Sequence, residues 1–374
     1  MLSTDGNLLE NGSAAKTRIL SYGRIVEMLY VVVASGQGSK TITEKNVVMR
    51  QAGGSHGLLR LISLYRAGYE ILISDRNIQL ISAQSPDEIG VIAFLLSRFF
   101  RKRLQLQVHT DILSPWYRKA STKELFRVLC ARIVLPKADC IRVVSQRIAR
   151  SLIAQLKISK NRITILPIFT DLRQFLTIPR GNSGEKTKEH KDTFHIISAG
   201  RFLEKEKQFS LLIHMMEVLR PRYPSLRVSM IGEGPSRHLY QQMIRQKRLE
   251  DAVQIYPWTD TLASFLADAD LFVLVSRYEG WGRVVLEAMA SELPVIMTDV
   301  GLAGEILVHE ENGIVIPVGD TSALISWMEQ LVQDEALRSR LASSARRQTR
   351  LLASVSYEAY LQQYKQSFSH CCVI

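Results

Sequence analysis

The chain has little of what builds disulfide-stapled, metal-stapled or membrane-spanning proteins. Of its 374 residues only four are cysteine: Cys130, Cys140, Cys371 and Cys372. They form no CxxC pair and have no histidine at metal-ligand spacing, which argues against a zinc module or a disulfide framework and points to a reduced, cytoplasmic setting. No run of about 18 apolar residues occurs, as a membrane-spanning helix would need. The best candidate, residues 89–100, is broken by Arg98. Near the start, Leu8 and Leu9 make no secretory core before Lys16 and Arg18, so no signal peptide is expected. Aromatic residues are only 7% of the chain and no RNA-binding motif appears, which disfavours a nucleic-acid partner despite the net charge of +12. The terminal Cys371-Cys372-Val373-Ile374 has the outline of a prenylation box, read as chance because nothing else suggests a lipid anchor.

What is present is an ordinary globular composition, 46% hydrophobic and 22% charged, with mean hydropathy near zero at +0.01. This length suits two domains rather than one core. The charge is unevenly spread. Residues 1–180 carry 27 Lys and Arg against 12 Asp and Glu, whereas residues 181–374 carry 21 against 24. A basic half joined to a near-neutral half implies that one half alone meets an anionic partner: membrane phosphate, a lipid-linked diphosphate or nucleic acid.

The second half alternates short apolar runs with helical patterns. Strands are expected at residues 194–199, 226–231, 253–256, 271–275, 295–298 and 314–318. Helices are expected at 209–220, 237–247, 283–291 and 322–332. Such alternation predicts a parallel sheet covered on both faces. The first half repeats the theme less cleanly, with strands at 30–34, 71–74, 104–109 and 140–144 and helices at 14–27, 55–66, 87–100 and 123–135. Residues 179–193, with Pro179, Gly181 and Gly184, read as a linker or exposed loop between an N-terminal domain (1–178) and a C-terminal one (194–352). A last helix over about 353–370 follows the second sheet.

Ligands of open α/β sheets bind beyond the C-terminal ends of the strands. After the strand ending near 275 stands Ser276-Arg277-Tyr278-Glu279-Gly280-Trp281-Gly282, then a helix carrying Glu287. After residue 199 stands Gly200-Arg201, with Lys207 close behind, and after residue 231 stands Gly232-Glu233-Gly234-Pro235. Glycines at a helix start let backbone N–H groups approach a phosphate. Arg201 and Lys207 can neutralise a diphosphate. Glu279 and Glu287 can each accept hydrogen bonds from paired hydroxyls. A diphosphate between two polyols describes a nucleotide-sugar. Asp268-Ala269-Asp270 imitates a metal-binding motif, but it ends a helix and enters a strand, so capping is the expected role and no metal site is expected. Arg98-Phe99-Phe100-Arg101-Lys102-Arg103 reads either as a solvated helix end or as a dock for anionic lipid.

The run Glu279-Gly280-Trp281-Gly282-Arg283 through Glu287, with GRFLEKEKQFSLLI, SMIGEGP, ADADLFVLVSRYEGWG, ELPVIMTDVGLAGEIL and NGIVIPVGD around it in order, resembles the retaining family 4 glycosyltransferases (glycosyl transferases group 1) of the GT-B fold. QVHTD, ADCIRVVS and ITILPIFTDLRQF extend the likeness into the first half. The resemblance implies two Rossmann-like domains facing each other across a cleft, with the C-terminal helix returning to the N-terminal domain. It implies transfer of a sugar from a UDP- or GDP-linked donor to a glycan, lipid-linked or small-molecule acceptor, with retention at the anomeric carbon. Glu279 would contact the transferred sugar, His109 would face it from the N-terminal domain, and Arg201 and Lys207 would hold the diphosphate. Glu287 would take the ribose hydroxyls. Donor contacts are further expected at Gly12, Gly232, Glu233, Tyr256, Gly280, Trp281, Gly282 and Arg283. No cofactor and no metal are implied, and polysaccharide biosynthesis and a peripheral place on the inner membrane face are family-level expectations. Other reactions on the same architecture, a nucleotide-sugar epimerase or a phosphorylase, would need a different carboxylate set or a cofactor lysine. Gln208, where glycine is usual, Ile168-Phe169-Thr170 in place of Asn-Gly-Val, and Leu302, where glycine is frequent, depart from the family pattern. Met1 to Asp5 begins later than the family's first strand, which points to a short edge or a start further upstream.

Overall fold

The computed structural model describes residues 1–55, 57–177 and 193–373. The chain divides into two compact units, Met1–Pro167 with Ser356–Ile374, and Ile168–Val355. The expected linker, 179–193, lies outside the described residues except for its last position.

The first unit contains β1 (Leu2–Ser3), α1 (Ala14–Gly23), β2 (Leu29–Val33), β3 (Thr41–Glu44), β4 (Val47–Gln51), α2 (Gly57–Ser74), β5 (Leu80–Ala83) and α3 (Glu88–Phe100). It continues with β6 (Arg103–Val108), α4 (Pro115–Lys119), α5 (Thr122–Val134), β7 (Cys140–Val143), α6 (Gln146–Leu156) and β8 (Ile163–Ile165). Its eight-stranded sheet runs β3-β4-β2-β1-β5-β6-β7-β8. All pairs are parallel except β3 against β4. The sheet reverses direction between β1 and β5, where β1 pairs with both β2 and β5.

The second unit contains α7 (Arg173–Thr177), β9 (Phe194–Ala199), α8 (Glu204–Lys207), α9 (Ser210–Leu219), β10 (Leu226–Ile231), α10 (Arg237–Gln246), β11 (Val253–Tyr256) and α11 (Leu262–Ala267). There follow β12 (Leu271–Leu274), α12 (Arg283–Ala290), β13 (Val295–Thr298), β14 (Ile314–Ile316), α13 (Thr321–Gln333) and α14 (Glu335–Ala353). The sheet is wholly parallel in the order β11-β10-β9-β12-β13-β14. Its central strands are buried throughout, as LFVL in β12 and VIMT in β13 require once helices cover both faces. Ile196, Val228, Met230, Leu271 and Val273 meet Leu212, Met215, Met216 and Leu219 of α9 in one core. Helix starts follow capping chemistry: the Asp320 carboxylate accepts from the Ala323 N–H at 2.9 Å and that of Asp334 from the Leu337 N–H at 2.8 Å.

The last helix, α15 (Tyr357–Val373), belongs to the first unit and packs on β5, β6 and β7, so the expected return of the C-terminal helix is observed. The strands explain why. Ser82, Gln105, Gln107 and Arg142 are polar residues buried in the middle of that sheet, and each needs a partner. Ser82 finds its partners within the sheet, donating to Gln105 Oε1 at 3.1 Å and accepting from Gln107 at 3.0 Å, and helix α15 supplies partners for the other three. Gln107 donates to the Tyr364 hydroxyl at 2.9 Å and Gln105 to the Ser367 carbonyl at 3.0 Å. Arg142 donates to the Tyr360 hydroxyl at 3.1 Å, to Gln107 Oε1 at 2.9 Å and to the Leu166 carbonyl at 2.9 Å. Its guanidinium lies over the Tyr364 ring, and that ring stacks on Tyr22 of α1 at 4.2 Å.

Two expectations are corrected. Residues 71–74 are the last turn of α2, not a strand, and the strand is β5, nine residues on. The three apolar residues Ile71-Leu72-Ile73 carry no period of their own, and here they continue the buried stripe of Leu64, Ala67, Gly68 and Leu72. Nor are all four cysteines free: Cys140 of β7 and Cys371 of α15 form a disulfide. Spacing rules see only near neighbours, whereas 231 residues separate this pair. Cys130 is buried and free, and Cys372 is exposed and free.

Candidate active site

In the second unit β9 is the first strand, from which the chain winds one way to β10 and β11 and the other way to β12, β13 and β14. The gap between the C-terminal ends of β9 and β12 is therefore the topological switch point, where such sheets open a crevice. The two segments singled out in the sequence leave the sheet there. One is Gly200-Arg201 with α8 beyond it; the other is Ser276 to Gly282, leading into α12.

They meet through charge. Lys207, at the end of α8, donates to the Glu279 carboxylate, and Glu206 lies 3.5 Å from the same ammonium. Burial alone would lower the Lys207 pKa, but the two carboxylates outweigh it and hold it above the ordinary lysine value. Lys207 is thus a buried cation that stays charged. Glu279 also accepts from the Ser276 hydroxyl at 2.9 Å, which fixes the carboxylate's orientation. Arg201 reaches both oxygens of Glu206 at 3.2 Å while its side chain stays 75% exposed. Arg201, Glu206, Lys207 and Glu279 form a chain of alternating sign. Sequence reasoning missed Glu206 and Ser276. Glu206 was lost in the charged run EKEK, which looks solvated, although its i−1 place beside Lys207 was the available signal.

Glu287 lies one turn into α12 and is buried, with Arg283 one turn earlier at 3.8 Å. Burial raises its pKa, and Arg283 offsets this in part. The carboxylate is held out of bulk water, where a hydrogen bond from a hydroxyl is worth most. Gly282 caps α12 at φ 91, a left-handed conformation that glycine adopts without strain, and leaves the first N–H groups of the helix unshielded by any side chain. Trp281 is buried, and its carbonyl accepts from the Leu302 N–H at 3.0 Å, which ties the loop after β13 to the loop after β12. Leu302, in the place of a frequent glycine, fills this junction as a fully buried side chain.

The remaining donor candidates fall at neighbouring strand ends. Gly232 follows β10, and any Cβ there would stand 1.9 Å from the Gly200 carbonyl oxygen, so only glycine allows the two loops to pass. Glu233 is exposed, and its carbonyl accepts from the Phe202 N–H at 2.7 Å. Tyr256 ends β11, donates to Gln254 and packs edge-on against Phe265 at 5.2 Å. Gly280 is buried between Glu279 and Trp281. Asp270, of the metal-like motif, accepts from the His195 N–H at 2.9 Å and so braces β12 against β9. Among the described residues no cluster of three metal-ligating side chains occurs.

In the first unit His109 directly follows β6, a strand away from the reversal at β1 and β5. Burial, then the charges of Arg142 and Arg18, lower its pKa to about 3. It is a neutral imidazole at physiological pH, fit to donate or accept a hydrogen bond but not to act as a cation. Gly12 turns the chain ahead of Ser13, whose hydroxyl caps α1 by accepting from the Lys16 N–H at 3.1 Å. Asn11 accepts from the Lys16 ammonium at 2.7 Å.

Comparison with known proteins agrees with this architecture. Residues 180–348 match the family described as glycosyl transferases group 1, and residues 29–174 match glycosyltransferase family 4. The lipopolysaccharide core biosynthesis glycosyltransferase LpsE of Rhizobium meliloti is 30% identical over 207 residues, 55% of this chain and 58% of that one. The chain thus spans little more than half the length of that relative. A Campylobacter jejuni N-acetylgalactosamine-N,N'-diacetylbacillosaminyl-diphospho-undecaprenol 4-alpha-N-acetylgalactosaminyltransferase is 26% identical over 67% of each chain. Among solved structures, Anabaena HepE in complex with UDP-glucose superposes with a TM-score of 0.71 at 18% identity, covering 100% of this chain and 99% of that one.

Proposed function

From the premise that this chain belongs to the family 4, group 1 glycosyltransferases of the GT-B fold, we propose that it transfers a sugar from a nucleoside diphosphate donor to a hydroxyl of a glycan or lipid-linked acceptor, with retention at the anomeric carbon. The observation that carries this reading is the Lys207–Glu279 pair at the switch point of the second unit, with Glu287 buried one helix turn beyond it. A buried ammonium that stays charged suits the diphosphate, and the two carboxylates suit the hydroxyl groups on either side of it. The UDP-glucose held by HepE supports a uridine donor. The diphospho-undecaprenol in the name of the Campylobacter relative supports a lipid-linked acceptor.

In the step we envisage, the bond from the anomeric carbon to the diphosphate oxygen breaks. The acceptor oxygen bonds to the same face of that carbon, and the acceptor proton passes to the departing diphosphate. Lys207, with Arg201 at the rim, stabilises the negative charge that develops on the leaving group, which is where preorganised cations contribute most. The Glu279 carboxylate, already oriented by Ser276, accepts from hydroxyls of the transferred sugar. The proposal needs no metal and no cofactor.

Calorimetric titration with UDP, GDP and their sugars, joined to mass spectrometry of the products, tests it. Binding of one nucleotide class is expected, and Glu287→Ala should weaken that binding about tenfold by removing buried acceptors for the ribose hydroxyls. If no nucleotide binds, or Glu287→Ala binds as the wild type does, the donor site lies elsewhere.

A further inference from the structure

Among the described residues Cys140–Cys371 is the one covalent cross-link, and the transfer reaction makes no use of it. A unit of this size with a full apolar core does not need a disulfide framework to fold, and Cys130 and Cys372 stay free. The bond instead governs one element. Cys140 opens β7, and Cys371 lies in the last turn of α15. Their Cα atoms are 5.1 Å apart, an ordinary disulfide span. Both are buried, at 1% and 0% exposure. The whole second unit, Ile168–Val355, lies in the loop of chain that the bond closes.

The surroundings hold a place for the open form as well. Cys140 Sγ is 3.9 Å from the Ser367 carbonyl oxygen, and Cys371 Sγ is 3.6 Å from that of Leu104. A disulfide sulfur has no proton to give to either oxygen, whereas a thiol does. Opening the bond thus leaves two buried thiols that each have an acceptor in reach, not two orphaned groups. The Cys371 sulfur is also the accessible one of the pair. The last turn of a helix lacks partners for its carbonyls and opens first, and the next residue, Cys372, is exposed.

The residues that α15 lends to the sheet lie just before this anchor. Tyr364 and Ser367, which partner Gln107 and Gln105, are within two turns of Cys371. With the bond closed, a covalent tie fixes that stretch. With it open, the last turn keeps the His370 contact with the Asn161 carbonyl and two weak thiol hydrogen bonds.

We propose that Cys140–Cys371 is a reversible redox clasp that sets how firmly α15 is held on β6 and β7. A dithiol reductant opens it. One thiolate attacks Cys371 Sγ, and Cys140 leaves and takes up a proton. The reductant's second thiolate then displaces Cys371, so the dithiol ends as a disulfide and both cysteines as thiols. Oxidised glutathione closes the clasp again and is released as two glutathione thiols. The inference needs nothing from the donor site.

The test is the full chain equilibrated with dithiothreitol or with oxidised glutathione. Peptide mapping after alkylation is expected to show Cys140 and Cys371 both alkylated in the first and linked in the second. Reduction should speed amide exchange across residues 364–373 at least tenfold and lower the melting midpoint of the first unit by about 10 °C. Oxidised glutathione should restore both, and nucleotide titration should be the same in either state. Cys371→Ser, whose hydroxyl can still donate to the Leu104 carbonyl, should behave as the reduced protein in both buffers. Cys372→Ser should respond as the wild type, which separates the clasp from bonds between chains. The proposal is overturned if Cys140 and Cys371 stay unlinked in oxidised glutathione, or if dithiothreitol leaves the bond of the native protein intact. It is also overturned if amide exchange and midpoint are the same with the bond open and closed.

Discussion

The two units solve the same problem, buried charge in a parallel α/β sheet, in opposite ways. The second unit places its buried cation, Lys207, at a strand-end crevice and balances it there with Glu279 and Glu206. The first unit buries Arg142 mid-strand, 2% exposed, where among the described residues no carboxylate pairs with it. Neutral groups hold that guanidinium: an amide, a carbonyl, a hydroxyl and the face of a tyrosine ring. The difference separates chemistry from construction. A cation meant to receive an anion is kept beside carboxylates that a ligand's hydroxyls can engage. A cation meant to hold a helix is saturated with partners that nothing displaces.

If that division is right, Lys207→Ala should act on turnover and Arg142→Ala on folding. Lys207→Ala is expected to lower kcat by about 10²–10³-fold, the effect of deleting one preorganised charge from a leaving-group site, read by product formation under saturating donor. A loss below about tenfold would make Lys207 a structural ion pair. Arg142→Ala leaves the Gln107 oxygen, the Leu166 carbonyl and the Tyr360 hydroxyl without their donor, and should destabilise the first unit by about 3 kcal/mol. Scanning calorimetry should show that unit's transition falling while nucleotide binding by the second unit persists.

A smaller effect lies in acid. His109 has a folded pKa of about 3, against roughly 6.5 for an unperturbed imidazole. The unfolded chain therefore takes up a proton that the folded unit refuses. The stabilisation is complete above the unfolded pKa and is lost as pH falls from about 6.5 toward 3. His109→Gln should flatten the decline of the melting midpoint over that window. An unchanged slope would mean that His109 is protonated in the folded state. The smallest effect is expected at Gln208, which follows Lys207 at φ 51 and whose buried amide oxygen has no partner. Gln208→Gly should raise stability by about 0.5–1 kcal/mol, because relief of the left-handed strain and of the orphaned oxygen exceeds the packing lost. A lower melting midpoint would show that the buried stem contributes more than the backbone strain costs.

Legibility followed the same line between the units. In the second unit β9, β10, β11 and β13 stand at the bounds the apolar runs predict, because each run is closed at once by a breaker or a charge: Gly200 after β9, Gly232 after β10, Pro257 after β11 and Asp299 after β13. The Glu279–Glu287 spacing and the lysine after the first strand were likewise readable. In the first unit the hairpin of β3 and β4 was missed because TITE at the sheet edge is exposed or half-exposed and shows no apolar run. Residues 71–74 were misread because three apolar residues and a serine cannot distinguish a strand from a helix end. Within the candidate site, Ser276 and Glu206 were invisible because their importance is a matter of which carboxylate or ammonium they reach, not of residue type.

The order of residues by itself determined the alternation of strands and helices, the parallel sheets that such alternation demands, and the acidic and basic groups placed just beyond the strands, since these depend on local periodicity and on chain direction. Tertiary structure alone decided that α8 would bring Lys207 onto Glu279, 72 residues away in sequence, and that Cys140 would meet Cys371. It alone decided that Gln105, Gln107 and Arg142 would be core rather than surface. Those outcomes rest on which strands lie side by side and on what packs over them, and no local stretch of sequence contains that information.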